Sequence, residues 1–149
     1  MELSSAPGVR IYSTSEANEL VPALQLSFAA IGRIRVELES LLTSLADGDP
    51  NRVVALLRGE TPPGTDQEEA LVRLQVLVLE LGQAVEGLAA LGVIVKDLDP
   101  GLVDIPSAMD GRLVLLCWQF GEPTVDWYHE ADEGFEERVP LPDARPVLH

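Results

Sequence analysis

Leucine and isoleucine return at alternating three- and four-residue steps between residues 20 and 45, and this recurrence most constrains the fold. Leu24, Ile31, Leu38 and Leu45 form a strict heptad column, with Leu20, Ile34 and Leu41 as its companion, interrupted at Ser27. Such columns lie on one side of an α-helix and require a facing helix to bury them, as in a coiled coil. Ser13 and Glu16 stand just ahead in a capping-box arrangement, and Thr14 is an equally good cap, so the first helix is predicted over 13–46. Pro22 lies past the first turn and predicts a kink or a restart. Asp47-Gly48-Asp49-Pro50 has the composition of a stop.

A second periodic segment is predicted over 66–91. Asp66 caps it, Glu68 and Glu69 suit the positive end of its dipole, and Gly92 ends it. Leu71, Leu74, Val78, Leu81, Val85 and Leu88 form its seam. Between the two, 51–58 suits two helical turns and Thr61-Pro62-Pro63-Gly64-Thr65 a loop. Two facing seams make an antiparallel helical hairpin. Val72, Val76, Leu77 and Leu79 lie off the seam, more apolar surface than a lone hairpin can bury. A sheet has to cover them, or a second copy of the chain, giving a four-helix arrangement across a homodimer.

After Gly92 the pattern turns to strands. Val93-Ile94-Val95 is β-branched, 101–105 is a second strand ended by Pro106, and Asp110-Gly111 is a hairpin turn. Residues 113–120 and 124–129 complete a meander of three or four antiparallel strands within 93–130, and 131–149 reads as a loop and Pro-rich tail. Val9-Arg10-Ile11-Tyr12 suits a further short strand. A tight turn at Glu122-Pro123 sets Trp118 opposite Trp127 and Leu116 opposite His129, a register that a one-residue slip would invert. The expected class is α+β: one domain over 1–149, a long antiparallel helical hairpin followed by a small antiparallel β-meander.

Composition narrows the partners. The 149 residues hold 25 Asp and Glu against 10 Lys and Arg, a net charge of −15. That balance argues against nucleic acid and anionic membranes, whose phosphates need basic patches. A 46% hydrophobic content argues against disorder. The N-terminal residues lack the pattern of a secretory signal, and Arg73, Glu80 and Glu86 break the richest apolar stretch, so no membrane segment is expected. A single cysteine, Cys117, forms no internal disulfide and agrees with a cytoplasmic location; placed mid-strand, it reads as a core side chain.

Eleven acids lie between residues 96 and 138, against Lys96, Arg112 and Arg138. His129 is the only histidine there. With Asp104, Glu122 and Glu130 it could supply a nitrogen and oxygens to a divalent cation, Mn, Fe, Zn or Mg. In that case one carboxylate could also serve as general base. One histidine without a usable thiolate is a sparse metal set, and a solvated acidic rim around a hydrogen-bonded strand histidine is the plainer reading. A metal-free small-molecule site built on Trp118, Trp127, His129 and Arg138, with Glu122, is the third. Arg138 with Glu122 reads either as an ion pair that pins the tail or as an anion site.

In order along the chain stand Asp97-Leu-Asp-Pro-Gly-Leu-Val-Asp-Ile-Pro106, Leu116-Cys-Trp-Gln-Phe-Gly-Glu122, Trp127-Tyr-His-Glu130 and Gly134-Phe-Glu-Glu-Arg138. Preceded by Ser15-Glu-Ala-Asn18 and the helix pair, this set resembles the bacterial domain-of-unknown-function family 2203 over residues 10–142. The resemblance implies a stand-alone bacterial protein and no particular activity. It places Asp97, Asp104, Trp118, Glu122, His129, Gly134 and Arg138 on signature positions. The expected function is a non-catalytic, homo-oligomeric module whose acidic sheet end binds a protein or a small ligand. The alternative is a divalent-metal protein or metal-dependent enzyme using His129.

Overall fold

The computed structural model describes residues 10–142. It has α1 (Thr14–Ala46), α2 (Pro50–Leu57), α3 (Thr65–Ala90), then β1 (Ile94–Asp97), β2 (Leu102–Met109), β3 (Arg112–Gln119), β4 (Trp127–Glu130) and β5 (Val139–Pro140). This is an α+β protein. The chain divides into two compact units, one of residues 29–85 and one of residues up to 28 together with 86 onward.

The 29–85 unit holds the hairpin of α1 and α3, with α2 between them. Asp47 and Gly48 take positive φ values of 47° and 87°, turning the chain out of α1. Asp49 then opens α2 by accepting from the Asn51 amide (3.0 Å), with Pro50 in the first turn, where its missing N–H costs nothing. The predicted stop is thus also a start. Leu45, Leu56 and Leu74 are the buried centre, with Leu38, Leu41, Val53, Ala70 and Leu71 packed around them. Glu37 and Arg73 clamp α1 to α3 through two hydrogen bonds of 2.7 and 2.9 Å.

Two details of α3 depart from expectation. Its cap is Gly64, whose carbonyl accepts from Gln67 and Glu68 and whose N–H donates to Gln67 Oε1 (2.9 Å); Asp66 lies inside the first turn. The seam is also rotated, since Leu77 is 1% exposed while Val78 is 55% exposed. A straight helix drifts against a seven-residue count, and burial follows the three-dimensional face.

In the other unit α1 begins as expected: Ser13 N–H donates to Glu16 Oε1 (2.9 Å) and Glu16 N–H to Ser13 Oγ (3.0 Å). The helix is continuous through Pro22. Ala17, Val21, Leu24 and Phe28 are its buried face, so the companion column here is Val21 and Phe28, rather than Leu20 and Ser27.

The sheet is a five-stranded antiparallel meander in the order β1-β2-β3-β4-β5. The β2–β3 hairpin closes on Asp110 (φ 52°) and Gly111 (φ 78°), two positive values that define a two-residue primed turn. β2 does not end at Pro106 but runs on to Met109. Beyond Asp104 its outer edge has no β1 partner, and the Pro106 carbonyl on that edge accepts from Tyr12 N–H (2.8 Å), so the missing proline N–H breaks no ladder bond. Tyr12 accordingly meets the sheet by this bond and through Ser107 Oγ, without forming a strand; Val9 and the tail from 143 lie outside the described residues.

The largest correction is the β3–β4 register. Cys117 pairs with Trp127, Leu116 with Tyr128 and Leu115 with His129, one residue away from the predicted pairing. Seven residues, 120–126, join the strands in place of a tight turn. Glu122 organises this loop: its N–H donates to the Gln119 carbonyl (2.9 Å) and its Oε1 accepts from Gln119 N–H (2.8 Å).

Candidate functional site

Because pleated side chains alternate, the register slip decides which residues can meet. One face of the sheet carries Val103, Ile105, Val114, Leu116 and Trp118, all fully buried. Trp118 lies 6.0 Å from the Phe28 ring of α1, and Phe120 6.3 Å from the same ring. Trp118 Nε1 donates to the Glu122 carbonyl (2.9 Å), so its one polar atom is satisfied. Gly101 makes this packing possible: at φ 105°, an added Cβ would come within 2.9 Å of both Phe120 and Phe28. Trp118 is a core residue and is separated from His129 by the sheet.

The opposite face brings together Asp104, Cys117, Trp127 and His129 from three adjacent strands. Asp104 and His129 are 3% and 2% exposed, a level of burial that polar side chains reach only with partners. His129 Nε2 lies 3.1 Å from Asp104 Oδ1, and Nδ1 lies 2.9 Å from the Glu130 carbonyl. A carbonyl only accepts, so Nδ1 carries hydrogen. The contact between Nε2 and the Asp104 carboxyl is then the second hydrogen bond of the ring, so both of its nitrogens are engaged.

Cys117 is wholly buried beside this pair. Burial pushes its thiol up to about 11 and the Asp104 carboxylate adds to the rise, while Arg138 opposes it through charge and a hydrogen bond. At neutral pH the sulfur is therefore a thiol, not a nucleophilic thiolate. Arg138 closes the cluster. Its guanidinium lies 4.6 Å from the Trp127 ring centre and 4.2 Å from that of Phe135, and Nη1 is 3.1 Å from Glu122 Oε2.

Apart from Trp118 in the core, the residues singled out from the sequence fall into three groups. Asp104 and His129 form a buried pair. Glu122, Trp127 and Arg138 form a stacked ion pair that pins the chain after β4. Glu130 stands apart: its carboxylate takes two hydrogen bonds from Arg112 (2.7 and 2.6 Å), which hold its pKa below the ordinary value. Of the three carboxylates considered as metal ligands only Asp104 reaches His129, and among the described residues no group of three or more His, Cys, Asp or Glu is placed to hold a metal ion.

What sequence reasoning missed lies in the helical unit. A groove of about 700 Å³ runs between α1, α2 and α3, lined by Leu38, Leu42, Leu57, Leu74, Gln75, Val78 and Leu79. Leu57, Val78 and Leu79 are each more than half exposed. The surplus of apolar residues on α3 was the available signal; the contributions of Leu42 and Leu57 were not legible without the position of α2. Among the described residues no helix is long and apolar enough to cross a membrane.

The model of the family described as "Uncharacterized conserved protein (DUF2203)" matches residues 10–141, and the chain belongs to that family. No curated protein and no solved structure matches it.

Proposed function

We propose that this member of the DUF2203 family is a non-catalytic, self-associating cytoplasmic module whose copies meet through the 29–85 helical unit, leaving the acidic sheet end for a partner. The observation that carries the reading is the apolar groove beside α2. Folding leaves Leu57, Val78 and Leu79 open to water along it, and Val72 and Val76 on α3 are exposed as well. Contiguous apolar surface of this kind is a mark of association sites. A second copy is the occupant best matched by charge. The helical unit carries five arginines against nine acids, a net of −4, whereas the rest of the chain carries −11. Copies of so acidic a chain repel least where they approach by their least charged part.

The sheet-face cluster supports binding over catalysis. Its imidazole has both nitrogens committed, its thiol is protonated, and its guanidinium is stacked and paired. The test is a pair of substitutions at the groove, Val78→Glu and Leu79→Glu, with mass measured by light scattering across concentration. Burying a Val or Leu side chain is worth about 1.5–3 kcal/mol, so each change is expected to weaken association by at least about tenfold. Unchanged association in both variants contradicts the proposal.

A further inference from the structure

Self-association leaves one built feature of the sheet end without a role. Besides its contact with the Cys117 thiol, the Arg138 guanidinium is held from outside its own segment by the Trp127 ring and the Glu122 carboxylate. Both are fixed without it. Trp127 stands on β4, and Glu122 is anchored by Gln119 N–H on Oε1 and by Trp118 Nε1 and Gln25 Nε2 on its carbonyl. An indole face beside a positioned carboxylate is the composition of a guanidinium site, combining cation–π attraction with a charge-assisted hydrogen bond.

The segment that delivers Arg138 is lightly attached. Residues 131–137 are exposed except for the half-buried Phe135. Glu137 N–H to the Gly134 carbonyl stays within the segment, and Glu133 is tied only to the adjoining end of β4, its N–H donating to the Glu130 carbonyl and its Oε1 accepting from Glu130 N–H (3.3 Å). The segment returns to the sheet at β5 and through Leu141 N–H to the Asp126 carbonyl (2.8 Å). Asp132, Glu133, Glu136 and Glu137 also give it a charge that draws a basic partner near.

We propose that Arg138 is the internal occupant of a guanidinium-binding notch made by Trp127 and Glu122, and that displacement of residues 131–138 hands this notch to an arginine side chain of a partner protein. The proposal rests on the reading of the sheet end as partner-facing. It is independent of the hairpin, so the variants below keep their oligomeric mass and a failure here leaves self-association standing.

Two measurements on the full chain test it. In the first, Arg138→Ala is titrated with N-acetyl-arginine amide and followed by tryptophan fluorescence. Saturable binding is expected, at least about tenfold weaker in Arg138→Ala/Glu122→Gln, where the charge is gone. Equal affinity in the two overturns the proposal. The second uses the buried Cys117 thiol as a probe of opening and needs no variant that might misfold. Wild-type labelling by a thiol reagent is expected through a local opening whose rate varies little with urea. Labelling with the same urea dependence as global unfolding overturns it. Glu122→Gln, which keeps the Oε1 contact to Gln119, is expected to speed labelling about fivefold or more by loosening the hold on Arg138. Arg138 lowers the Cys117 pKa, so losing its contact alone would slow the thiolate reaction, and acceleration reports access.

Discussion

Removing His129 alone should cost more than removing it together with Asp104. The two side chains are 2% and 5% exposed and share one hydrogen bond of 3.1 Å. His129→Leu leaves the Asp104 carboxyl buried without its partner; Asp104→Leu leaves His129 Nε2 in the same position. Stranding one member of a buried pair costs about 3–5 kcal/mol when the pair is ionic and about 1–3 kcal/mol when it is a neutral hydrogen bond. The double variant Asp104→Leu/His129→Leu strands neither, and replacing both partners by apolar groups is close to neutral apart from packing. A coupling energy of at least about 1 kcal/mol between the two sites is therefore expected, with the double variant more stable than the sum of the singles implies. Urea unfolding followed by tryptophan fluorescence measures it cleanly, because Trp118 and Trp127 both lie in the sheet unit and no tryptophan lies elsewhere. Additive single effects with no coupling would refute the paired geometry. Losses below about 0.5 kcal/mol would refute the burial.

Gly101→Ala is expected to destabilise the sheet unit by about 2–4 kcal/mol, since a φ of 105° strains any L residue and the new Cβ meets Phe28 and Phe120 at 2.9 Å; urea midpoints of the variant and wild type test this. Glu37 and Glu130 are each held below the ordinary carboxyl value of 4.5 by an arginine hydrogen bond. Their contribution is present above that value and fades as pH falls through the lowered folded pKa, so Glu37→Gln and Glu130→Gln should flatten the acid limb of a stability–pH curve and leave its alkaline limb unchanged. Cys117, with a thiol pushed up to about 11, should resist alkylation at pH 7 in native buffer and react at once in denaturant; rapid native labelling would contradict the burial.

Local chemistry was legible where it is settled by a few neighbouring residues. The Ser13–Glu16 box, the Asp110-Gly111 turn and the Leu24-Ile31-Leu38-Leu45 column all stand where the sequence places them, as their physics involves only residues within a turn or along one helix. Pro106 misled because a proline is tolerated on a strand edge, and edges are a property of the whole sheet. Leu77 replaced Val78 in the seam because the facing helix, not the heptad count, decides burial.

How the candidate residues meet was not legible in the sequence. Trp118, Glu122, Trp127, His129 and Arg138 are all held by specific contacts, yet Trp118 lies on the opposite face of the sheet from Trp127 and His129, whereas the tight-turn register set it against Trp127. The loop at 120–126 shifts β4 by one residue, sending Trp118 to the α1 side and His129 to the other. Asp104 then becomes the partner of His129 across three strands, a contact that neither turn composition nor alternation alone could specify.

The central claim is that copies of this chain meet through the groove of the 29–85 unit. Sedimentation equilibrium of the wild type from low to high micromolar concentration tests it most directly. The account predicts an average mass that rises to twice the chain mass and falls back in Leu79→Glu. A mass equal to one chain at every concentration would contradict it.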